Sequence, residues 1–406
     1  MEESASPATG GTAPALATPV GPWVFLAVAT LSQTGMSLTQ QGIAVLAVFI
    51  RSALGLSFSQ MGTLVSATSL GVVVGFAAAG SLVDRFGPRW LLSWGTVWMT
   101  LWAALVAGAR TYPVLLGLLF LLGMGLATVP SAGTRAVFEV FAGPLRGMVM
   151  GIRQSGVPIG SALAASFLPL AIGRWGEPGV WHLLAAVLAV TGFGFALLMP
   201  RWPAHARSAP RPWREILPAV GPMVVAALLV AGQYAALTFT IVDLHGWFGW
   251  PVGLAGLGLA VVQVGGGVGR VGLGWWSDRL GGRRPPAIAV TAVVGAAMAL
   301  ALAWLPRDTS AVVLVPLLFL LGFGTVGWNG LALTWAGERV PVARAGQAMS
   351  WAGSAAFLGS ALYPPLFGWV VDRTGGFQWA WTGLAGVLLV ALLVVAAVAR
   401  RPAVAR

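Results

Sequence analysis

The stretch that decides the fold is residues 80–90, which read G-S-L-V-D-R-F-G-P-R-W between two long apolar runs. Its glycine, acidic and basic positions are Gly80, Asp84, Arg85, Gly87 and Arg89. The same arrangement returns at residues 274–283 as G-W-W-S-D-R-L-G-G-R, so that Asp84 and Asp278 lie 194 positions apart in a chain of 406 residues. Two copies at nearly half-chain spacing indicate a duplicated architecture with a polar turn in each half.

The composition around these turns is that of a membrane protein. Hydrophobic residues make up 58% of the chain and charged residues 8%, with a mean hydropathy of +0.86. A soluble domain of this composition could not cover its surface with polar groups. Apolar runs of about 20 residues recur, which is the length that spans the hydrocarbon core as a helix. The sequence therefore predicts an all-α membrane protein.

Twelve apolar runs are predicted to be transmembrane helices, six in each half of the chain. Their approximate bounds are 23–49, 59–83, 90–109, 113–141, 146–172, 180–199, 216–244, 252–277, 286–305, 312–340, 346–371 and 379–399. The predicted domains are a disordered tail (1–20), two six-helix bundles (21–200 and 216–400), an Arg-rich linker (201–215) and a short C-terminal tail (401–406).

The second half repeats the first beyond the opening motif. The run L-L-F-L-L-G at 118–123 returns at 317–322, and G-S-A-L at 160–163 returns at 359–362, both with an offset of 199. An even number of helices in each half keeps the two repeats parallel. They are then related by a pseudo-twofold axis along the membrane normal, and a substrate site is expected near the midplane where they meet.

Arginine placement predicts the orientation, because basic residues accumulate in cytoplasmic loops. With the N-terminus inside, fifteen arginines fall in inner loops and tails, against five in outer loops (51, 110, 174, 307 and 373). Both termini are therefore expected in the cytoplasm. The net charge of +12 is read as this topology signal, and no nucleic-acid partner is expected. The chain has no Cys and three scattered His, so neither thiol chemistry nor a metal site is expected.

The pattern G-x-x-x-D-R-x-G-x-R resembles the loop motif of major facilitator superfamily transporters. That resemblance implies a gate at the inner face, in which Asp84 meets the start of the eleventh helix near Gly346 and Asp278 meets the start of the fifth near Gly147. A carboxylate at a helix N-terminus is favoured by the helix dipole. The remaining gating candidates are Gly274, Arg279, Arg135, Glu139 and Glu338, of which Arg135 and Glu139 are interpreted as an i, i+4 structural pair.

Arg270 is the leading candidate for a substrate-binding residue. It lies inside the eighth predicted helix, and its repeat position in the first half is Phe76. An intramembrane charge is a functional hypothesis by default. The surrounding pattern, G-R-x-x-x-G before S-D-R-x-G, resembles oxalate/formate and monocarboxylate transporters, where this Arg binds the substrate carboxylate. The structural alternative is that Arg270 extends to the inner interface or pairs with a distant acid.

Other polar positions within the helices form a second set of substrate-binding candidates. Arg153 and Gln154 break the repeat symmetry, since Ala352 and Gly353 occupy their counterpart positions. An inner-gate structural role for Arg153 stays open. The neutral candidates are Gln33, Ser37, Gln233, Tyr234 and Asn329. Interhelical hydrogen bonding is the alternative for each of them.

The acidic residues bear on the substrate class, because none falls near the centre of a predicted helix; Asp243 comes closest. The interior should favour anions. We therefore expect a monomeric secondary transporter of a small organic anion, a monocarboxylate by the resemblance, in a bacterial inner membrane. It would work by rocker-switch alternating access, without a cofactor and with proton coupling left open. The alternative is a drug or metabolite exporter of the same fold, whereas an enzyme is disfavoured for lack of catalytic clusters.

Overall fold

Helices account for all regular secondary structure in the computed structural model, which describes residues 18–141, 146–200, 213–341 and 344–400. Within those ranges no strand occurs. The helices are α1 (Pro22–Leu54), α2 (Phe58–Phe86), α3 (Pro88–Val106), α4 (Tyr112–Leu126), α5 (Thr128–Val140), α6 (Arg146–Gln154), α7 (Gly156–Leu198), α8 (Val220–Gly246), α9 (Val252–Arg279), α10 (Arg284–Trp304), α11 (Ala311–Val326), α12 (Asn329–Glu338), α13 (Ala345–Thr374) and α14 (Gln378–Ala399). A short 3-10 helix, Trp213–Ala219, precedes α8.

The membrane-spanning segments agree with the predicted fold class. Ten helical segments of the described chain are long and apolar enough to cross a bilayer. One of them, 149–198, contains Gly176 at φ 67° and ψ 171°, a non-helical conformation that divides it into two crossings. Together with the 19-residue α3, these segments fit the predicted twelve crossings. The predicted tail and linker boundaries stay predictions, because residues 1–17, 201–212 and 401–406 lie outside the described residues.

Three predicted helices form continuous helical spans, but each loses helix hydrogen bonds at one point, where the backbone keeps right-handed helical angles at Ala127, Ser155 and Gly327. The helix predicted at 113–141 is α4 and α5, and the helix predicted at 146–172 is α6 and the first part of α7. Pro130 and Pro158 explain both interruptions, since a proline cannot donate to the carbonyl four residues earlier. Those carbonyls belong to Leu126 and Gln154, where α4 and α6 end.

The third interruption divides the helix predicted at 312–340 into α11 and α12. The residues between them are Gly327 and Trp328. Glycine is a poor helix former, because it loses the most backbone freedom when it is ordered. By the repeat offset of 199, the end of α4 at Leu126 corresponds to Thr325, one residue before α11 ends. The two halves are therefore interrupted at equivalent places.

Glycines bring helices into backbone contact within each bundle. A side chain at Gly71 would collide with the Phe120 carbonyl of α4, and one at Gly265 would collide with the Phe319 carbonyl of α11. Inside a membrane the hydrophobic effect does not drive helices together, so they associate through close packing, which small residues at the interface allow. Gly71 and Gly265 are therefore close-packing positions, and the two equivalent contacts reproduce the internal repeat.

The two bundles meet mainly at one end of the molecule. We call the end with the two Asp-Arg turns, where α2 and α9 finish, the motif face, and the other end the opposite face. Near the opposite face, Gly62 of α2 lies against the backbone of Pro364 and Pro365 in α13. Gly256 of α9 likewise lies against Ala165 and Pro169 of α7. The bundles are thus closed against each other at the opposite face.

Candidate functional site

Arg270 lies on α9, eight residues before Asp278, which places it about 12 Å from the motif-face end of that helix. Its side chain is half-buried, and Nε donates to the Val326 carbonyl at 3.2 Å. No other hydrogen bond or ion pair of its guanidinium is found within the described part of the chain. The two terminal nitrogens are therefore available to a ligand.

The interruption of the tenth crossing explains why Arg270 is held there. A helix end leaves carbonyls without an intrahelical partner, and Val326 is the last residue of α11. Gly269 allows α9 to pack against the backbone of Phe323 and Gly327, which brings the neighbouring Arg270 to that carbonyl. The Val326 carbonyl fixes Nε of the guanidinium and leaves the edge that carries the two terminal nitrogens, Nη1 and Nη2, unoccupied.

Arg153, at the end of α6, is fully enclosed. It is 0% exposed, and Nη2 donates to Gln33 Oε1 at 2.8 Å and to the Val129 carbonyl at 3.0 Å. Nη1 donates to Thr134 Oγ1 at 3.3 Å. All of these acceptors are neutral, and no acid pairs with Arg153 among the residues that the structure describes. Gly133 makes room for this guanidinium, since a side chain there would collide with it.

The two arginines have related positions, which the sequence did not reveal. Arg153 contacts the start of α5 at Val129, beside the interruption of the fourth crossing. Arg270 contacts the end of α11 at Val326, beside the interruption of the tenth. The repeat relates these two interruptions, so each bundle carries one arginine that donates to a carbonyl beside a local loss of helix hydrogen bonds. In the sequence, Pro130 and Gly327 were the residues that could have indicated these two interruptions.

Of the other predicted substrate-binding residues in the first bundle, two are buried and hydrogen-bonded and one is exposed. Gln33 is buried and accepts from Arg153, and the structure thus brings two of the predicted residues together. Ser37 is also buried and donates to the Val157 carbonyl at 2.8 Å, which ties α1 to α7. Gln154 is exposed although it follows Arg153 directly in the chain.

In the second bundle, Tyr234 joins the two halves of the molecule. Its hydroxyl group interacts with Ser360 of α13 in its own bundle, and with Ser69 and Gln40 of the first bundle. Gln233 is buried, and its Oε1 has no hydrogen-bond partner in the described structure. Asn329 is the first residue of α12 and is half-exposed. Gln233 and Tyr234 lie on α8 and Asn329 lies on α12, and both helices contact α9, which carries Arg270.

The second Asp-Arg turn is held by a residue that the sequence analysis missed. Arg284, the first residue of α10, donates to Asp278 Oδ1 at 2.5 Å and to Glu338 Oε1 at 3.1 Å. These bonds tie α9, α10 and α12 together at the motif face. Asp278 was predicted to meet the start of the fifth helix, and the partner that the structure shows is Arg284. The side-chain surroundings of Gly147 are not among those described, so that contact stays a prediction.

The arginines of the two turns lie against aromatic rings or backbone. Arg85 is 4.9 Å from the Phe86 ring and Arg279 is 4.0 Å from the Trp275 ring. Arg89 Nη1 donates to the Met199 carbonyl at 3.4 Å. Gly87 has φ 83° and ends α2, whereas Gly274 is helical within α9. Gly80 and Arg135 lie in α2 and α5, and the side chains of Asp84 and Glu139 are outside the described residues.

Asp243 is a deeply buried acid near the opposite-face end of α8. It is 2% exposed, and Trp381 Nε1 donates to its Oδ2 at 2.9 Å. The Phe367 ring packs against Trp381 with 5.0 Å between centroids, so the acid lies among α8, α13 and α14. This position is inside the second bundle and away from Arg270, so it does not offer a carboxylate to a cationic substrate beside that residue.

Trp381→Phe should lower the thermal stability of the purified protein by about 1–3 kcal/mol, because the buried Asp243 carboxylate loses its hydrogen-bond donor. Thermal unfolding in detergent would measure the change. Trp379→Phe is the matched control, since Trp379 lies on the same helix and is 57% exposed. Equal melting temperatures for the two variants would contradict the assigned role of the Trp381 indole.

Two repeated bundles of membrane-spanning helices with arginines inside them are the architecture of a multi-pass transporter. Residues 25–362 match the Major Facilitator Superfamily pattern, and the chain belongs to that family. An uncharacterized MFS-type transporter of Mycobacterium tuberculosis is 32% identical to it, over 90% of this chain and 82% of the relative. The gentisate transporter of Corynebacterium glutamicum is 25% identical, over 77% of this chain and 73% of that protein.

A solved structure supports the same fold. A bacterial homologue of the human lysosomal transporter Spinster, in an inward-facing and unoccupied conformation, matches with a TM-score of 0.76. The match covers 93% of this chain and 97% of that one, at 16% identity. At that identity the likeness concerns the fold alone. Membership of the Major Facilitator Superfamily, together with the transporter relatives, makes the chain a transporter and not an enzyme.

Proposed function

We propose that this transporter moves a small organic anion, a monocarboxylate with a ring or short chain, and that Arg270 binds the carboxylate. The observation that carries the proposal is the half-buried guanidinium whose terminal nitrogens have no partner in the described structure. An arginine inside the membrane is costly unless something compensates its charge. A substrate carboxylate would supply that compensation on each turnover.

The geometry of arginine suits this task better than that of lysine. A guanidinium presents a planar fork that can meet both oxygens of a carboxylate, and it stays charged at any working pH. The Val326 carbonyl already orients the fork through Nε. The binding edge is therefore fixed before a ligand arrives, which lowers the entropy lost on binding.

The gentisate transporter among the relatives supports an aromatic member of this class. Gentisate is a hydroxylated benzoate, so its carboxylate could meet Arg270 while its hydroxyl groups need neutral polar partners. Tyr234, Gln233 and Asn329 are the proposed partners in the second bundle. Gln33 is the proposed partner in the first bundle, held by Arg153.

Transport would proceed by alternating access. The closed contacts at the opposite face, at Gly62 and Gly256, would open as the motif face closes around a site near the midplane. The arginine distribution supports a cytoplasmic motif face with both termini inside, in a bacterial inner membrane. We propose that one chain suffices for the cycle, since both halves of the site lie within it.

Export of cationic drugs is the rival function. Such export would use an accessible buried acid, and Asp243 is instead bound to Trp381 inside the second bundle. Among the described residues no other acid is buried. The charge of the proposed site therefore favours an anionic substrate.

Proteoliposomes containing the purified protein provide the test. We expect them to accumulate radiolabelled gentisate or benzoate above protein-free liposomes, and unlabelled carboxylates to compete. A neutral analogue, benzamide, should not compete, because it cannot form the charged pair with Arg270. Repeating the assay with and without a proton gradient would determine the coupling mode. Energy-dependent expulsion of a cationic dye without carboxylate uptake would contradict the proposal.

A further inference from the structure

The end of α13 repeats the Asp-Arg turn at the other side of the molecule. Residues 371–375 read V-D-R-T-G, and residues 83–87 at the end of α2 read V-D-R-F-G. In both, the glycine has a positive φ, 71° at Gly375 and 83° at Gly87. In both, the glycine N–H donates to the carbonyl of the valine at 2.9 Å. The chain therefore contains a third Asp-Arg turn, which shares the closing hydrogen bond of the first one and lies at the opposite face.

The acid of this third turn binds the N-terminus of α2. Asp372 Oδ1 accepts from the backbone N–H of Phe58 at 2.9 Å, and Oδ2 accepts from that of Ser59 at 2.8 Å. Phe58 and Ser59 are the first two residues of α2, whose N–H groups have no partner within the helix. Both carboxylate oxygens are thus used on one helix terminus, 314 residues away in sequence.

Electrostatics explains why the pair forms. A carboxylate in the last turn of a helix is unfavourable for its own dipole, and Asp372 lies two residues before the end of α13. The positive N-terminus of α2 compensates it. Arg51, in the last turn of α1, lies 3.7 Å above the Phe58 ring and is attracted to Asp372. Phe377 packs edge-on against the same ring at 5.3 Å.

This contact crosses the boundary between the two bundles. α2 belongs to the first bundle and α13 to the second, and their backbones approach within contact where Gly368 lies against Phe58. Since the bundles are closed at this face, the Asp372 bonds join them in the conformation that the structure shows. These bonds cannot persist if the two helix ends separate.

We propose that Asp372 is the gate residue of the opposite face, and that its two bonds to the N-terminus of α2 hold this face closed. They must break each time the face opens to bind or release substrate. The same two antiparallel helices would then carry an acid at each end, Asp84 for the motif face and Asp372 for the opposite face. The inference concerns the conformational cycle and does not depend on the substrate.

Spin-label distances across the opposite face test the proposal. The chain has no Cys, so Thr111→Cys and Asp308→Cys place labels on exposed loops of the two bundles without further changes. In this background, Asp372→Asn should raise the population of long distances by about fivefold, because the charge that favours the closed contact is lost. Asp372→Glu keeps the charge, so it should raise the population of long distances less than Asp372→Asn does. Glu177→Gln controls for loss of an acid at this face, since Glu177 bonds to Trp181 within one bundle.

A second pair of variants removes a donor instead of the acid. Ser59→Pro deletes one N–H at the second position of α2, where proline is tolerated, as Pro285 is at the same position of α10. Ser59→Ala keeps that N–H and is its matched control. We expect Ser59→Pro to reproduce the shift and Ser59→Ala to leave the distances unchanged. Wild-type distances in both Asp372→Asn and Ser59→Pro would overturn the proposal, and if Asp372→Asn does not fold, the Ser59 pair decides alone.

Discussion

Replacing Arg270 with alanine should abolish carboxylate uptake while leaving the protein folded. The variant loses the charged fork that we propose for the substrate, and removal of one partner of a buried charge pair costs about 2–5 kcal/mol. That range corresponds to a loss of roughly thirtyfold to several thousandfold in affinity. Initial uptake rates and a binding titration by thermal shift would measure the two effects separately.

Two further variants decide between charge and geometry at this position. Arg270→Lys should keep partial activity, because an ammonium group supplies the charge without the planar fork. Arg174→Ala is the matched control, since Arg174 is exposed at the opposite face and should not affect uptake. Normal uptake by Arg270→Ala, with the protein folded, would remove Arg270 from the site and leave the transporter fold untouched.

Replacing Gly265 with alanine should have the largest effect on folding. The added methyl group would meet the Phe319 carbonyl of α11, which is backbone and cannot rotate away. Overpacking of this kind costs about 1–3 kcal/mol, more than the helix propensity that alanine gains. We expect a lower melting temperature and a smaller yield of monodisperse protein in detergent.

Gly267→Ala provides the comparison within the same helix. No atom of another helix lies within 4 Å of the position that its methyl group would occupy, so only the gain in helix propensity remains. The expected result is an unchanged or slightly raised melting temperature. If both variants melted alike, the close approach of α9 and α11 would not be a determinant of stability.

The sequence predicted the fold well because its strongest signals are local and repeated. Apolar length defines the crossings, and the two Asp-Arg turns with the 199-residue repeat define the two bundles. The interruptions were missed although Pro130 and Pro158 are visible in the sequence. A proline inside an apolar run is often accommodated in a transmembrane helix, so its presence alone does not locate a break.

The candidate site could be predicted only in part, because partners far apart in sequence cannot be read from spacing. Arg270 and Arg153 were recognised as charged positions without a counterpart in the repeat, and both lack an acidic partner among the described residues. Their actual acceptors, Val326 and the Gln33 side chain, are 56 and 120 positions away in the chain. Asp372 was overlooked because its turn falls outside the two-fold repeat of the motif.

The interruption of hydrogen bonding in the tenth crossing would connect the proposed site to the helix behind it. The carbonyl that accepts from Arg270 Nε belongs to the last residue of α11, and Gly327 and Trp328 separate it from α12. A carboxylate on the two terminal nitrogens would leave that bond in place. Ligand, guanidinium and crossing would then form one connected unit, so a loaded carrier would be more rigid at this point than an empty one.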